Sequence, residues 1–173
     1  MGNIKYSSFI DRYDVGGAYH WNWYKNKARY RNHVHYLKEW IKEKSVLDVG
    51  AGDGLIPFVL GIKGVDNNML SVKLARSLGA DVDYGDAHKL PYDDESFDSV
   101  LLTHTLEHLQ FPLVALSEAR RVLRKFLYIV SPENEDDFHI TGDSLKEMVE
   151  KIGFELVDAP IEPYGIHAKF KKV

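Results

Sequence analysis

Val46-Leu47-Asp48-Val49-Gly50-Ala51-Gly52-Asp53-Gly54 is the stretch that decides the fold of this 173-residue chain. A short apolar run carries an acid and then breaks into three alternate glycines, so a strand ends in a loop almost bare of side chains. Glycine permits positive φ and close approach of a ligand to the backbone. The residues after Gly54 can open a helix whose first N–H groups face the same spot. A nucleotide-like ligand is the first expectation. The spacing Gly50-x-Gly52-x-Gly54, followed by Leu55, is neither the G-x-G-x-x-G that receives a pyrophosphate nor a P-loop with its Lys-Ser/Thr. Dinucleotides and triphosphates are therefore disfavoured, and the acid before the loop suits a ligand that offers an ammonium and ribose hydroxyls.

Outward from this loop, strands alternate with helices. Strands are expected at 45–49, 62–66, 81–84, 100–102 and 126–130. Helices are expected at about 26–42, where Tyr30, Val34, Leu37 and Ile41 recur at helical spacing, and at 54–60, 68–78 and 112–125. Ser144-Leu145-Lys146-Glu147 reads as a capping box opening a last helix that Gly153 closes. Two closing strands follow at 154–158 and 166–172. Such alternation implies right-handed crossovers and an α/β, doubly wound, Rossmann-like sheet. It is expected to be mostly parallel, with an antiparallel C-terminal strand and helices on both faces. Ligands of such sheets sit beyond the carboxyl ends of the strands. One domain is expected over 1–173, with 1–44 an N-terminal aromatic and basic arm and helix and 45–173 a cofactor-binding core.

The loop resembles motif I of class I S-adenosylmethionine-dependent methyltransferases, of the methyltransferase type 11 kind. Further segments fall in that family's order over about residues 45–155. Asp66 ends the second strand 18 residues after Asp48, and its two oxygens match the two hydroxyls of a ribose. Gly85-Asp86-Ala87 resembles the segment that reads adenine, Leu90 to Asp98 the loop into strand four, and Glu107-His108-Leu109 the exit from that strand. The resemblance implies S-adenosylmethionine as cofactor. Asp48 would then sit by the methionine ammonium, with the backbone of Gly50, Ala51 and Gly52 beside the amino-acid portion and the Thr103 carbonyl accepting from the same ammonium. Asp66 would hold the ribose. Asp86 would accept from the adenine amine while the Ala87 N–H donates to the ring, between walls formed by Met69 and Leu90. Asn67 stands where an aliphatic residue is common. The first helix is short, and the Lys-Pro-Gly-Gly turn common before strand five is absent.

His104 follows strand four and is the candidate base for transfer to a protic acceptor, histidine being the side chain that titrates near neutrality. Tyr19, Trp21, Trp23, His108 and His139 are candidate acceptor contacts, the rings of Tyr19 to Tyr24 forming a mobile lid over the site or packing on the sheet. His104-Thr105-Leu106-Glu107-His108 also fits the H-x-x-E-H pattern of some zinc proteases, but that motif belongs on a long helix. A metal site of Glu107, His108 and His139 is considered and not adopted, so none is expected.

The net charge of −4 excludes nothing by itself. Its distribution, with Lys25, Lys27, Arg29, Arg31, Lys38, Lys42 and Lys44 in one stretch and acids at 81–98 and 133–137, suits either an anionic acceptor or simply solvated surfaces. The absence of cysteine removes disulfides and thiolate chemistry. No run is long enough to span a bilayer, and the chain reads as cytoplasmic. A small-molecule acceptor is favoured over RNA or protein, and a homodimer is open. The competing readings are a non-catalytic subunit that binds S-adenosylmethionine, an RNA or protein methyltransferase, and a nicotinamide-dependent oxidoreductase, the last opposed by the glycine spacing.

Overall fold

The computed structural model describes residues 18–132, 141–162 and 165–173, without the side chains of 161 and 162. Two helices, α1 (Tyr19–Asn26) and α2 (Ala28–Trp40), precede β1 (Val46–Val49), α3 (Leu55–Leu60), β2 (Lys63–Asp66), α4 (Met69–Ser77) and β3 (Val82–Tyr84). Then come β4 (Phe97–Thr103), a 3₁₀ turn at Leu106–His108, α5 (Pro112–Val122), β5 (Leu123–Ser131), α6 (Gly142–Glu150), β6 (Phe154–Asp158), β7 (Ile161–Glu162) and β8 (Gly165–Lys172).

The strand order is β3-β2-β1-β4-β5-β8-β6, with β7 on β8. Strands β1 to β5 pair in parallel, and β8 runs antiparallel to both β5 and β6. This is the doubly wound, Rossmann-like architecture expected. Register sets the two faces. Asp48, Leu101, Tyr128 and Lys169 form one row across β1, β4, β5 and β8. Val46, Leu101 and Tyr128 of that face pack under Ile41, Trp40, Ile56 and Leu60. The opposite face, with Leu47, Val49, Val100, Leu102, Leu127 and Ile129, meets Leu116, Ala119 and Val122 of α5 and Leu145 and Val149 of α6. β5 is buried at seven of its nine residues at least in part, which is why its sequence reads as an almost unbroken apolar run.

Several boundaries differ from expectation for local reasons. The expected helix over 26–42 is α2, which begins at Ala28 because Lys27 turns extended at φ −113°, and α1 precedes it over a stretch for which no helix was expected. β4 starts at Phe97 and β5 at Leu123, because the Leu123 pairing with Phe97 begins the ladder before the apolar run does. The capping box of the last helix lies one turn earlier: the Thr141 hydroxyl accepts from the Ser144 N–H and the Ser144 hydroxyl accepts from the Thr141 N–H. Thr141 occupies the N-cap that the sequence reading gave to Ser144. Met69 is exposed at the first turn of α4, while Val72 and Ala75 of that helix are buried.

Gly64 is the tightest point of β2, since a Cβ there would stand 2.8 Å from both the Ala51 Cβ and the Pro57 ring. Gly142, at the first turn of α6, has open space around it. Gly64→Ala is therefore expected to destabilise by about 1–3 kcal/mol through overpacking, whereas Gly142→Ala should be neutral or stabilise by a few tenths. Urea midpoints of the two variants measure the contrast, and equal midpoints would contradict this packing.

Candidate functional site

The carboxyl ends of β1, β2 and β4 meet at the glycine loop. Gly50, Gly52 and Gly54 all have positive φ, at 80°, 54° and 76°. The Gly50 and Ala51 N–H groups donate to the Val65 carbonyl at 2.9 and 3.1 Å, which folds the loop back over β2. A side chain at Gly50 would collide with the Thr105 hydroxyl at 2.4 Å, so glycine is required there on both counts. The Thr105 hydroxyl, in turn, lies 3.0 Å from the Val49 carbonyl and 3.1 Å from the Thr103 carbonyl, tying the exit of β4 to the end of β1.

Asp66 holds the loop from the other side. Its carboxylate accepts from the Gly52 N–H and from the Asn68 N–H, both at 2.8 Å. Burial raises the Asp66 carboxyl above its ordinary range, opposed by these two hydrogen bonds. Asp48 is buried in β1, and burial first and the Asp66 charge second push its carboxyl well up. Two acids held close together with their ionised forms disfavoured are what an incoming cation or hydroxyl pair would relieve. Beside them, Met69 and Leu70 at the start of α4 stand 44% and 50% exposed, an apolar strip next to Asp66 and the exposed Asn67. Asn68, whose side chain accepts from the Leu70 and Ser71 N–H groups, fixes that helix start. Acid, open strip and bare backbone fit a nucleoside that carries an ammonium.

Asp86 lies at the end of β3 with an oxygen already accepting from the His88 N–H at 2.9 Å and facing the His88 ring nitrogen at 2.7 Å. The hydrogen bond from the His88 backbone holds its carboxyl below the ordinary range. Ala87 is half-buried against the main core, and Leu90 is buried. Thr103 ends β4, and His104 follows with φ 50°, a left-handed conformation uncommon outside glycine, its N–H donating to the Val130 carbonyl at 2.8 Å. Glu107 is buried within the 3₁₀ turn, its Oε1 3.5 Å from Nδ1 of His104 and 4.0 Å from Nε2 of His108. His139 lies outside the described residues. Among the described residues no group of three or more histidines, aspartates and glutamates is arranged to hold a metal ion.

Asp53 and His20 are residues the sequence reading missed. Asp53 is fully buried, and its carboxylate accepts from the His20 N–H at 2.9 Å and meets the His20 ring at 3.0 Å. Trp21 donates its indole N–H to the Asp53 carbonyl at 2.8 Å and packs on Phe58. Tyr19 and Trp23 stack around His20, and Trp23 packs edge-on to Tyr30. Residues 19–24 therefore belong to a helix fastened to the loop, the packed arrangement of the two left open for these rings. An alternation of aromatic and polar residues carries no sign of a partner 33 positions away. An open hollow of about 460 Å³ lies at the other end of the sheet, lined by Asp94, Glu95, Ser117, Arg120, Arg121 and Lys172. Arg121 pairs there with Asp94 and Lys172 with Glu95, and Arg120 donates to the Gly153 and Val173 carbonyls.

Residues 47–129 match the family model described as a methyltransferase domain. Among curated proteins, the chain is 30% identical over 122 residues to an uncharacterised protein of Methanocaldococcus jannaschii, covering 69% of this chain and 56% of that one. It is 31% identical over 126 residues to ajmaline N-methyltransferase of Rauvolfia serpentina, covering 64% of this chain and 43% of that one. The chain spans about half the length of these curated relatives. Among solved structures, a Thermotoga maritima S-adenosylmethionine-dependent methyltransferase, described as a possible histamine N-methyltransferase, superposes with a TM-score of 0.77 at 23% identity. That match covers 97% of this chain and 98% of the other.

His33 is buried between His167 and His104, with ring centroids 5.3 and 6.4 Å away. Burial, and then the charges those two would carry, push its imidazole from 6.5 down to about 3. An unfolded chain takes up this proton near pH 6.5, and the folded chain does so only near pH 3. The contribution of the neutral ring is thus complete above pH 6.5 and is lost as pH falls toward 3. Stability should drop through this window by up to about 1.4 kcal/mol per pH unit from this group. The raised carboxyls of Asp48 and Asp66 work in the opposite direction, so the comparison to make is between wild type and His33→Leu. Urea midpoints against pH should fall less steeply in the variant, and parallel curves would contradict the assignment.

Proposed function

Because the chain belongs to the class I S-adenosylmethionine-dependent methyltransferases, with S-adenosylmethionine as cofactor, we propose that it transfers the cofactor's methyl group to a nucleophilic atom of a small-molecule acceptor. The observation that carries this reading is the pairing of Asp48 and Asp66 across the glycine loop, with no lysine or arginine in ion-pair contact with either among the described residues. Uncompensated carboxylates beside bare backbone suit an ammonium and a ribose, and repel phosphates. Asp48 would face the methionine ammonium, with the Thr103 carbonyl as a second acceptor. Asp66 would keep its two backbone hydrogen bonds and use its remaining lone pairs for ribose hydroxyls. The bare Gly50–Gly52 backbone would receive the amino-acid portion. Met69, Asn67, Asp86 and Ala87 would surround the adenine.

The bound cofactor supplies an activated methyl group, so the protein contributes chiefly alignment, water exclusion and a place for any proton the acceptor loses. His104 is the proposed base. It stands at the end of β4 in a left-handed conformation, held by its N–H bond to Val130. Backbone geometry of this kind, in a residue other than glycine, is retained where the surroundings impose it and is concentrated at working sites. The fastened helix α1, with Tyr19, Trp21 and Trp23, would form one wall of the acceptor space, and His108 and His139 remain proposed contacts. The small-molecule acceptor is supported by the named action of the Rauvolfia relative on ajmaline. One domain over 1–173 and a cytoplasmic location belong to the same proposal. No helix among the described residues is long and apolar enough to cross a membrane.

Calorimetry should detect binding of S-adenosylmethionine or its demethylated product and little binding of nicotinamide dinucleotides. Asp66→Ala should weaken cofactor binding by about 1–3 kcal/mol, the value of charge-assisted hydrogen bonds lost from a partly buried site. A cation prefers the ionised carboxyls, and both acids have raised values. Affinity should therefore fall as pH is lowered from 8 toward 4, with the loss beginning above the ordinary carboxylate range. A dinucleotide that binds tightly in place of S-adenosylmethionine would overturn the reading.

His104→Asn preserves tolerance of the left-handed backbone while removing the base. Turnover should fall by about 10²–10⁴-fold with cofactor affinity nearly intact. Comparison of initial rates under saturating cofactor tests this, and an undiminished rate would leave His104 a structural role only.

A further inference from the structure

His88 is a half-buried ring that reaches two loops at once. Its Nδ1 lies 2.7 Å from Oδ1 of Asp86, and its Nε2 accepts a long hydrogen bond, at 3.4 Å, from the Phe111 N–H. The first partner follows β3, and the second is the N-cap of α5, 23 positions away. The His88 and Phe111 rings also meet edge-on, with centroids 6.0 Å apart.

The partners fix the role of each ring nitrogen. A peptide N–H can only donate, so Nε2 is the bare nitrogen, and the one proton of a neutral imidazole then sits on Nδ1 and faces Asp86. The brace answers a need of α5. The Phe111 side chain cannot cap that helix, and Val114, three residues on, stands where a glutamate or glutamine would reach back to the Phe111 N–H but carries no acceptor. His88 supplies that acceptor from outside the helix.

On the other side, Oδ1 of Asp86 takes both the His88 N–H, at 2.9 Å, and the ring N–H. No donor among the described residues meets Oδ2, and the side chain is 56% exposed, so this oxygen is open to a ligand. The hydrogen bond from the His88 backbone holds the carboxyl below its ordinary range. The group is ionised at neutral pH and can only accept.

Resting on the methyltransferase reading of this site, in which Asp86 faces the adenine, we propose that His88 is a positioning residue: it aims the free oxygen of Asp86 at the exocyclic amine and so makes the site choose adenine over a base with a carbonyl there. An acceptor held in place receives the N–H of adenine. Hypoxanthine would set a carbonyl oxygen against it, lone pair to lone pair, and a carboxylate gripped through Oδ1 cannot swing away to relieve the conflict. His88 acts through Asp86 and takes no part in methyl transfer.

The test is calorimetry at pH 7 on the full chain, with S-adenosylhomocysteine beside S-inosylhomocysteine, which carries hypoxanthine in place of adenine. The wild type should bind the adenine ligand about tenfold or more tighter. His88→Ala keeps the backbone N–H but frees the carboxylate, and should weaken S-adenosylhomocysteine by about 3- to 30-fold and bring the two ligands within about threefold of each other. His88→Asn puts an amide N–H where the Nδ1–H stands, without reaching Phe111, and should restore most of the affinity and the preference. A merely structural ring would lower the melting temperature and leave the preference unmoved. Nitrogen NMR of the wild type saturated with S-adenosylhomocysteine should show the His88 ring, assigned through its own backbone amide, protonated at Nδ1 and bare at Nε2.

A preference that survives His88→Ala, an asparagine variant no better than alanine, or the opposite tautomer would each overturn the proposal. If the variants do not fold, the wild type decides: a bare Nδ1, or an inosyl ligand bound as well as the adenosyl one, overturns it. Retained binding of S-adenosylhomocysteine alongside any of these failures would leave the methyltransferase reading standing, whereas absence of that binding in the wild type would refute the reading itself.

Discussion

The hydrogen bond from the Gly52 N–H to Asp66, at 2.8 Å, joins the turn after β1 to the end of β2. The site depends on it in two ways. It holds a loop of three positive-φ residues in one shape without any side chain of the loop intruding. It also keeps a carboxylate at the mouth of the sheet whose ionised form burial disfavours and the Asn68 and Gly52 N–H groups favour. Asp48, deeper in β1, feels the Asp66 charge, so the two acids form one electrostatic unit. The parallel register of β1 with β2 and β4 sets these groups side by side, and the central apolar rows of those strands hold the register.

The fold was legible because its signals are local and periodic. Alternating apolar runs and helical stripes gave each strand from β1 to β5, and the glycine spacing separated this loop from pyrophosphate and triphosphate binders. Boundaries moved where a contact distant in sequence decided them. Leu123 looks like the end of a helix until Phe97 pairs with it, and Lys27 looks helical until the chain must turn from α1 to α2. Ser144 is a plausible N-cap in isolation, but Thr141 stands three residues earlier and uses Ser144 as its own partner.

Legibility of the site followed the same rule. Asp48, Gly50, Ala51, Gly52 and Asp66 could be named together because one loop and one strand end contain them, and the structure places them side by side. Asp86 and His104 were found as strand-end residues, although the engagement of Asp86 with His88 and the left-handed backbone of His104 have no signature in sequence. Glu107 was visible only within two short motifs, one resembling the exit from strand four and one that suggested zinc. Its character as a buried acid between two rings depends on the 3₁₀ turn that places it.

The N-terminal helix shows how a small buried group can settle a question that composition leaves open. The aromatic run Tyr19 to Tyr24 is equally suited to a mobile cover and to packing. Asp53 separates the two. Its carboxylate is fully buried, and its side-chain partners are the backbone N–H and ring of His20. Departure of α1 would break both of these hydrogen bonds, each worth about 1–3 kcal/mol to an acid. Trp21 adds a second tether to the same residue and covers Phe58. A helix held by the loop's own acid is a packed neighbour of the glycine loop rather than a free arm.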